Sequence, residues 1–330
     1  MNKKERIYNA VAGKPTDQLP YAFWTHLPGI DLDPDLLAEE TYKFFKKYDT
    51  DLIKTMNNGF YATEDFGCQI DYSAIKTGGT GKVVATPVNS LEDWKKITEK
   101  DFDKCEAIQR ELYSLKRTLE LVKDENVPII FTVFSPFTTA NKLSGNRLLE
   151  HISSGKTAVI HRALQIITDL TVKTVRKANE LGADGIFFAS QMSSYDVTTE
   201  EIFKEFGKQY DVQVLQASEG YCDTIHCHGT NIMTDILKDY PVDIFNWHAW
   251  ESEPTLQQAK TFDKCLMGGL DRRDITSSNF EAIRYQIEQC WEVFKGYKHI
   301  LAPGCVIRYP LNTKALSFIK ETALEVTGKK

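Results

Sequence analysis

Asp184-Gly185-Ile186-Phe187-Phe188-Ala189-Ser190 decides the fold. It is an apolar run of strand length. The segment beyond it, Thr198 to Ala217, has helical spacing and opens with Thr198-Thr199-Glu200-Glu201, where either threonine can cap the helix. The same unit recurs at Cys222 to Gly229, Val242 to Trp247, Lys264 to Leu270 and His299 to Gly304. Each run is rich in Ile, Val, Phe or Leu and ends at or beside Gly, Ser, Asn or Asp, the residues of turns. Strands that alternate with helices in this way run parallel, because each crossover returns the chain to the same end of the sheet.

Toward the N-terminus the pattern loosens but supplies three more strands, Leu19 to Trp24, Leu52 to Met56 and Pro128 to Phe134. Long helical patterns run over Phe102 to Lys123 and Thr157 to Leu181. Eight strands over 330 residues predict a single (β/α)8 TIM barrel spanning 1–330. A Gly- and Thr-rich stretch, about 59–87, breaks the alternation and reads as an insertion after strand two, with room for a small hairpin. No linker composition divides the chain.

The formal charge of −6 gives no broad attraction to phosphate backbones, so nucleic acid is not an expected partner. No stretch of 18 apolar residues occurs, and the first residues lack an apolar signal core, so the expected location is the cytoplasm and not a membrane. Seven scattered cysteines, at 68, 105, 222, 227, 265, 290 and 305, then read as thiols or ligands and not as a disulfide framework.

Barrel enzymes carry their chemistry at the carboxyl ends of the strands. That rule selects His26, Asn57, Asn58, Ser135, Gln191, His226, His228, Asn246, His248, Asp271 and Cys305. On strand five, period-two alternation puts Cys222, Thr224, His226 and His228 on one face, and Asp223, Ile225 and Cys227 on the other. His226 and His228 then point into the lumen, where Cys305 reaches them from strand eight. Two imidazoles and a thiolate with a fourth position open match a catalytic zinc site. A shift of one residue would make Cys227 the ligand in place of both histidines. His248, three residues before Glu251, is a further ligand or a substrate contact, and lining the mouth is the reading adopted for it. Asp271 either caps the next helix or lines the pocket.

Several stretches together resemble the uroporphyrinogen decarboxylase superfamily. They are Lys3-Lys4-Glu5-Arg6-Ile7, Gly13-Lys14-Pro15-Thr16-Asp17, Tyr48 to Lys54, Thr199 to Phe203, Ile225-His226-Cys227-His228-Gly229 and Ala302-Pro303-Gly304-Cys305. The resemblance spans essentially the whole chain and implies a (β/α)8 barrel with its site at the top. Within the superfamily the decarboxylases bind a substrate of eight carboxylates through arginines near the N-terminal strand, yet no arginine stands between Ile7 and Gln109 here. The cobalamin-dependent methyltransferase branch is the closer likeness. Its zinc ligands are a His-x-Cys on strand five and a Cys after strand eight. The resemblance places His226 and Cys305 at matching positions, with His228 where the middle cysteine stands.

The expected function is therefore a zinc-dependent methyltransferase, with Zn(2+) on His226, His228 and Cys305. It would move a methyl group between a small methylated substrate or thiol and a corrinoid (cobalamin) carried on a partner protein, as monomer or homodimer. Phe60, Tyr61, Phe134 and Phe137 would form apolar walls, with His26, Asn57, Ser135, Gln191, His248 and Asp271 as further substrate contacts. The alternative is a metal-free decarboxylase of a porphyrinogen or another aromatic acid, with Asp51, Asp71 or His26 moving the proton.

Overall fold

The computed structural model describes residues 1–77 and 81–328, so 78–80 of the expected insertion and the last two residues lie outside the described residues. Seven strands form one parallel sheet: β1 (Ile53–Lys54), β4 (Ile129–Phe134), β5 (Gly185–Ser190), β6 (Thr224–Cys227), β7 (Ile244–Trp247), β8 (Cys265–Leu270) and β9 (His299–Pro303). The two others, β2 (Gln69–Asp71) and β3 (Lys82–Ala85), pair antiparallel outside it, within the stretch that follows β1. The longer barrel strands are buried at every position, as expected of parallel strands sandwiched between lumen and helices.

The eighth stave is not a regular strand. Residues 19–25 lie extended between β9 and β1 and close the ring through Leu301 N–H to the Pro20 carbonyl (2.8 Å), Ala22 N–H to the Leu301 carbonyl (2.9 Å) and Asp51 N–H to the Tyr21 carbonyl (2.9 Å). Pro20 has no N–H to give a ladder. The Tyr21 N–H goes to the Asp51 carboxylate (3.1 Å) in place of a backbone carbonyl, so only bridges form where the sequence reads as a strand. Asp51 is fully buried and also takes the Arg6 guanidinium, which pairs with Asp17 at 2.7 Å. A fixed ion pair thus stands at the barrel's seam.

The helix expected over Thr198 to Ala217 begins at Thr199, whose side chain accepts the Ile202 N–H (3.4 Å). It carries a π-helical stretch at Phe203–Lys208 before resuming at Gln209–Leu215. All seven cysteines are buried and free. No described helix is long and apolar enough to cross a membrane.

Candidate metal centre

His226 lies on β6 level with Ala189 of β5 and Asn246 of β7. Residues level in a parallel pair share a face, and the Asn246 amide meets the His226 ring directly, with Oδ1 2.6 Å from Nδ1. The orientation of that amide is set by its other end. Nδ2 donates to the Met267 carbonyl (2.6 Å) and the Pro303 carbonyl (3.3 Å), both of which can only accept. Oδ1 is therefore the atom facing His226, Nδ1 carries the ring proton, and Nε2 is left with a free lone pair. Burial first, and then the neighbouring His228 and His248, hold this imidazole's pKa well below the usual histidine range, so it is neutral.

His248 is the first residue after β7. The Glu251 N–H (2.8 Å) and Ser252 N–H (3.0 Å) close a turn on its carbonyl, and this brings the Glu251 carboxylate to 3.4 Å from His248 Nδ1. Arg272 Nε stands 3.6 Å from the same carboxylate. The indoles of Trp247 and Trp250, donating to the Pro254 and Gly269 carbonyls (both 2.9 Å), pin the loop. His248 is 3% exposed, and its Nε2 has no hydrogen-bond partner among the described residues. Burying an imidazole nitrogen without a partner costs free energy, which a ligand at that atom would recover. Burial and then His228 lower its pKa to about 4, although Glu251 opposes them.

Cys305 completes the set from the turn after β9. The chain past it is tied to the closing segment by Ile307 N–H to the Trp24 carbonyl (3.1 Å) and Thr25 Oγ1 to the Ile307 carbonyl (2.7 Å). Gly304 precedes it because nothing larger fits. A Cβ built there would lie 2.6 Å from both the His248 Cα and the Trp247 carbonyl oxygen. This close approach of β9 to β7 sets Cys305 beside His248. Donor atoms of His226, His248 and Cys305, one from each, all lie within 4.8 Å of one another. Burial pushes the thiol's pKa up, against the fields of Arg272 and Lys54 and the Val306 N–H. Two imidazoles and one sulfur in this grouping suit a borderline divalent ion with a position left for an exchangeable ligand.

The sequence expectation had His228 in this set and His248 on the rim, and the structure groups them the other way. β6 ends at Cys227 and the His228 N–H still makes its ladder bond to the Ser190 carbonyl (3.1 Å), but the His228 ring stands outside the grouped donors, while the turn after β7 brings His248 in. His228 is half-buried, with its ring 5.4 Å from that of His248 and 5.9 Å from that of His226. Cys227 faces away from the lumen, near Tyr240 and outside the cluster.

The other expected contacts divide between the mouth and the packing. His26 is at the mouth, and its pKa is lowered to about 4 by burial and then by Lys54 and Lys142. Asn57 turns to Glu111 of the helix Glu106–Leu121 (3.0 Å). Ser135 donates to the buried Asp211 (2.7 Å), whose second oxygen takes the Tyr240 hydroxyl (2.9 Å); burial raises that carboxyl to about 7. Tyr61 is buried, donating to the Thr132 carbonyl (2.8 Å) with its ring between Phe131 and Phe134. Phe137 is fully buried against Phe203 of the π-helical stretch. Gln191, just past the end of β5, and Phe60, which precedes the helix Tyr61–Glu64, are half-buried. Asp271 caps the helix Arg272–Ser277 and grips Arg273. Among the carboxylates considered for proton transfer, Asp51 is held at the seam and Asp71 lies exposed on β2.

Sequence reasoning missed Lys54, Glu251 as the partner of His248, and Arg272. Lys54 left one signal, a lone cation on the same strand face as Leu52 and Met56.

Residues 2–325 match the family described as Uroporphyrinogen decarboxylase (URO-D). Among curated proteins, the chain is 22% identical over 230 residues to a methylcobamide:CoM methyltransferase, MtbA, of Methanosarcina acetivorans, a match covering 65% of this chain and 66% of the relative. It is 24% identical over 250 residues to the methylcobamide:CoM methyltransferase MtaA of Methanosarcina barkeri, covering 72% of each. Among solved structures, a methyltransferase from Methanosarcina mazei superposes with a TM-score of 0.80 at 19% identity over 99% of both chains. A B12-independent methionine synthase from Shewanella sp. W3-18-1 reaches 0.59 at 13% identity over 94% of this chain and 98% of its own. At such identities the superpositions show the shared fold.

Proposed function

We propose that this chain, which belongs to the uroporphyrinogen decarboxylase family, is a zinc-dependent methyltransferase moving a methyl group between a small methylated compound or thiol and a corrinoid on a partner protein. The observation that carries the reading is the buried, unpartnered Nε2 of His248, grouped with His226 and Cys305. Zinc held there would supply Lewis acidity, lowering the pKa of a bound thiol or polarising the methylated heteroatom. The protein's own part is orientation. Asn246 fixes the His226 tautomer, Glu251 does the same for His248, and Arg272 holds Glu251 in place. His228, half-buried beside them, lines the side from which substrate and corrinoid would approach.

Protein purified without chelator should carry about one equivalent of zinc, falling below about a tenth in His226→Ala, and should move methyl groups between a thiol and methylcobalamin. Zinc far below one equivalent in the parent protein, or zinc retention indifferent to His226→Ala, would sink the proposal.

The sign of the pH dependence follows from the side-chain states. Both imidazoles are held neutral, whereas the Cys305 thiol, its pKa raised, keeps its proton at neutral pH. Zinc uptake must then release one proton. Affinity should rise about tenfold per pH unit between pH 6 and 8, a slope of about one. Competition against a chromogenic chelator at several pH values measures it; a slope near three would mean that the histidines start protonated.

A further inference from the structure

Outside the strand ring, the loop after β7 and the helices Leu256–Ala259 and Phe280–Phe294 bound a cavity of about 580 Å3. That volume lies within the range of about 300–1,000 Å3 typical of small-molecule sites. None of His226, His248 and Cys305 lines it, so it is separate from the donor set. Leu256 and Val293, both buried, contribute apolar lining.

Two rings and two carboxylates supply the cavity's chemistry. Trp250 and Tyr285 pack with centroids 6.2 Å apart and planes at 49°, an aromatic corner whose members remain 36% and 55% exposed. The Trp250 indole is fixed by its bond to the Gly269 carbonyl, so the corner is formed before anything binds. Elsewhere in the protein ring faces carry cations of the chain itself, such as Arg284 on Phe318 at 5.4 Å and Lys14 on Tyr8 at 5.6 Å. Among the described residues no cation stands over Trp250 or Tyr285. Glu251 and Glu253 line the cavity, whereas no Lys, Arg or His side chain does. Glu251 is already engaged, by His248, Arg272 and Arg273. Glu253 accepts the Thr255 N–H (3.1 Å) and, among the described residues, meets no cation.

We propose that this cavity is a binding site for a small organic cation, an alkylated ammonium whose carbon substituents rest on Trp250 and Tyr285 while Glu253 supplies the counter-charge. The faces of the two rings are negative and attract a cation, and an ammonium wrapped in alkyl groups gives up little hydration on reaching them. The carboxylates repel an anion, and an uncharged molecule of the same shape gains only the burial of its apolar surface. The site needs nothing from the donor set, so it stands or falls apart from the zinc reading.

Titration of the 15N-labelled full chain with choline chloride, at constant ionic strength, tests it by NMR. Of the five indole N–H signals, the one missing from Trp250→Phe should shift and saturate with a Kd of about 1 mM or below. The uncharged analogue of the same shape, 3,3-dimethyl-1-butanol, should bind at least about tenfold more weakly. Glu253→Gln and Tyr285→Ala, both at exposed positions, should each weaken choline binding at least about threefold. No shift of the Trp250 signal up to about 20 mM choline, a preference over the alcohol of less than about tenfold, or an unchanged Kd in either variant would overturn the proposal. If Trp250→Phe does not fold, Tyr285→Ala identifies the same signal, because its ring packs on that indole.

Discussion

Replacing His248 with alanine is expected to empty the metal centre, with zinc falling from about one equivalent to less than a tenth, while His228→Ala stays within about threefold of the parent affinity. The asymmetry has a geometric source. His248 contributes a buried nitrogen that nothing else satisfies, and its ring lies nearly parallel to that of His226, 5.9 Å away. His228 stands just past the end of β6, half-exposed and outside the group of converging donors. Elemental analysis of both variants, with circular dichroism to confirm folding, reads the result. The reverse pattern, in which His228→Ala loses zinc and His248→Ala keeps it, would mean that the ligands sit at i and i+2 of one strand.

The second large effect is expected from a residue with no side chain. Gly304→Ala places a methyl group 2.6 Å from backbone atoms of Trp247 and His248, and backbone cannot rotate aside. The ends of β9 and β7 must separate, at a stability cost of about 1–3 kcal/mol for the overpacking. Cys305 moves with β9, so zinc affinity should fall by at least about tenfold, the scale of losses when a ligand is mis-set by its support. Gly59→Ala is the matched control, since a Cβ there meets nothing within 4 Å, and its stability should stay within about 0.5 kcal/mol of the parent. Thermal melts and chelator competition on the pair check both halves. A Gly304→Ala protein with unchanged zinc affinity would show that Cys305 is positioned independently of β9.

The barrel was legible in the sequence because parallel strands buried on both faces leave apolar runs with turn residues behind them, and seven of the eight appear as such. The run at Leu19 to Trp24 read equally well but became a bridge, because a proline and a side-chain carboxylate stand where ladder bonds would be. His226 and Cys305 were legible from their positions at strand ends. The choice between His228 and His248 was not, since it depends on the turn after β7 and on the close approach at Gly304 that set His248 beside Cys305. Ser135, Asn57 and Phe137 follow strands as predicted yet turn into helix packing, since a residue just past a strand end can face either way. Lys54 was hidden for the opposite reason. The sequence carries this strand on to Met56, which puts Lys54 in its middle, whereas the observed β1 ends at Lys54 itself.

The seam formed by Pro20, Ala22 and Leu301 joins the two ends of the chain, so during synthesis the ring cannot close until β9 has left the ribosome. Cys305 emerges after that strand and is held by Trp24 and Thr25 through Ile307. The loop-closure entropy of the whole polypeptide must be met before the last donor finds its place. Nascent chains shorter than this carry His226 and His248 but not the thiol, and a released chain with an open seam cannot hold the thiol beside them. A metal at the proposed site would therefore find all three donors only in closed barrels.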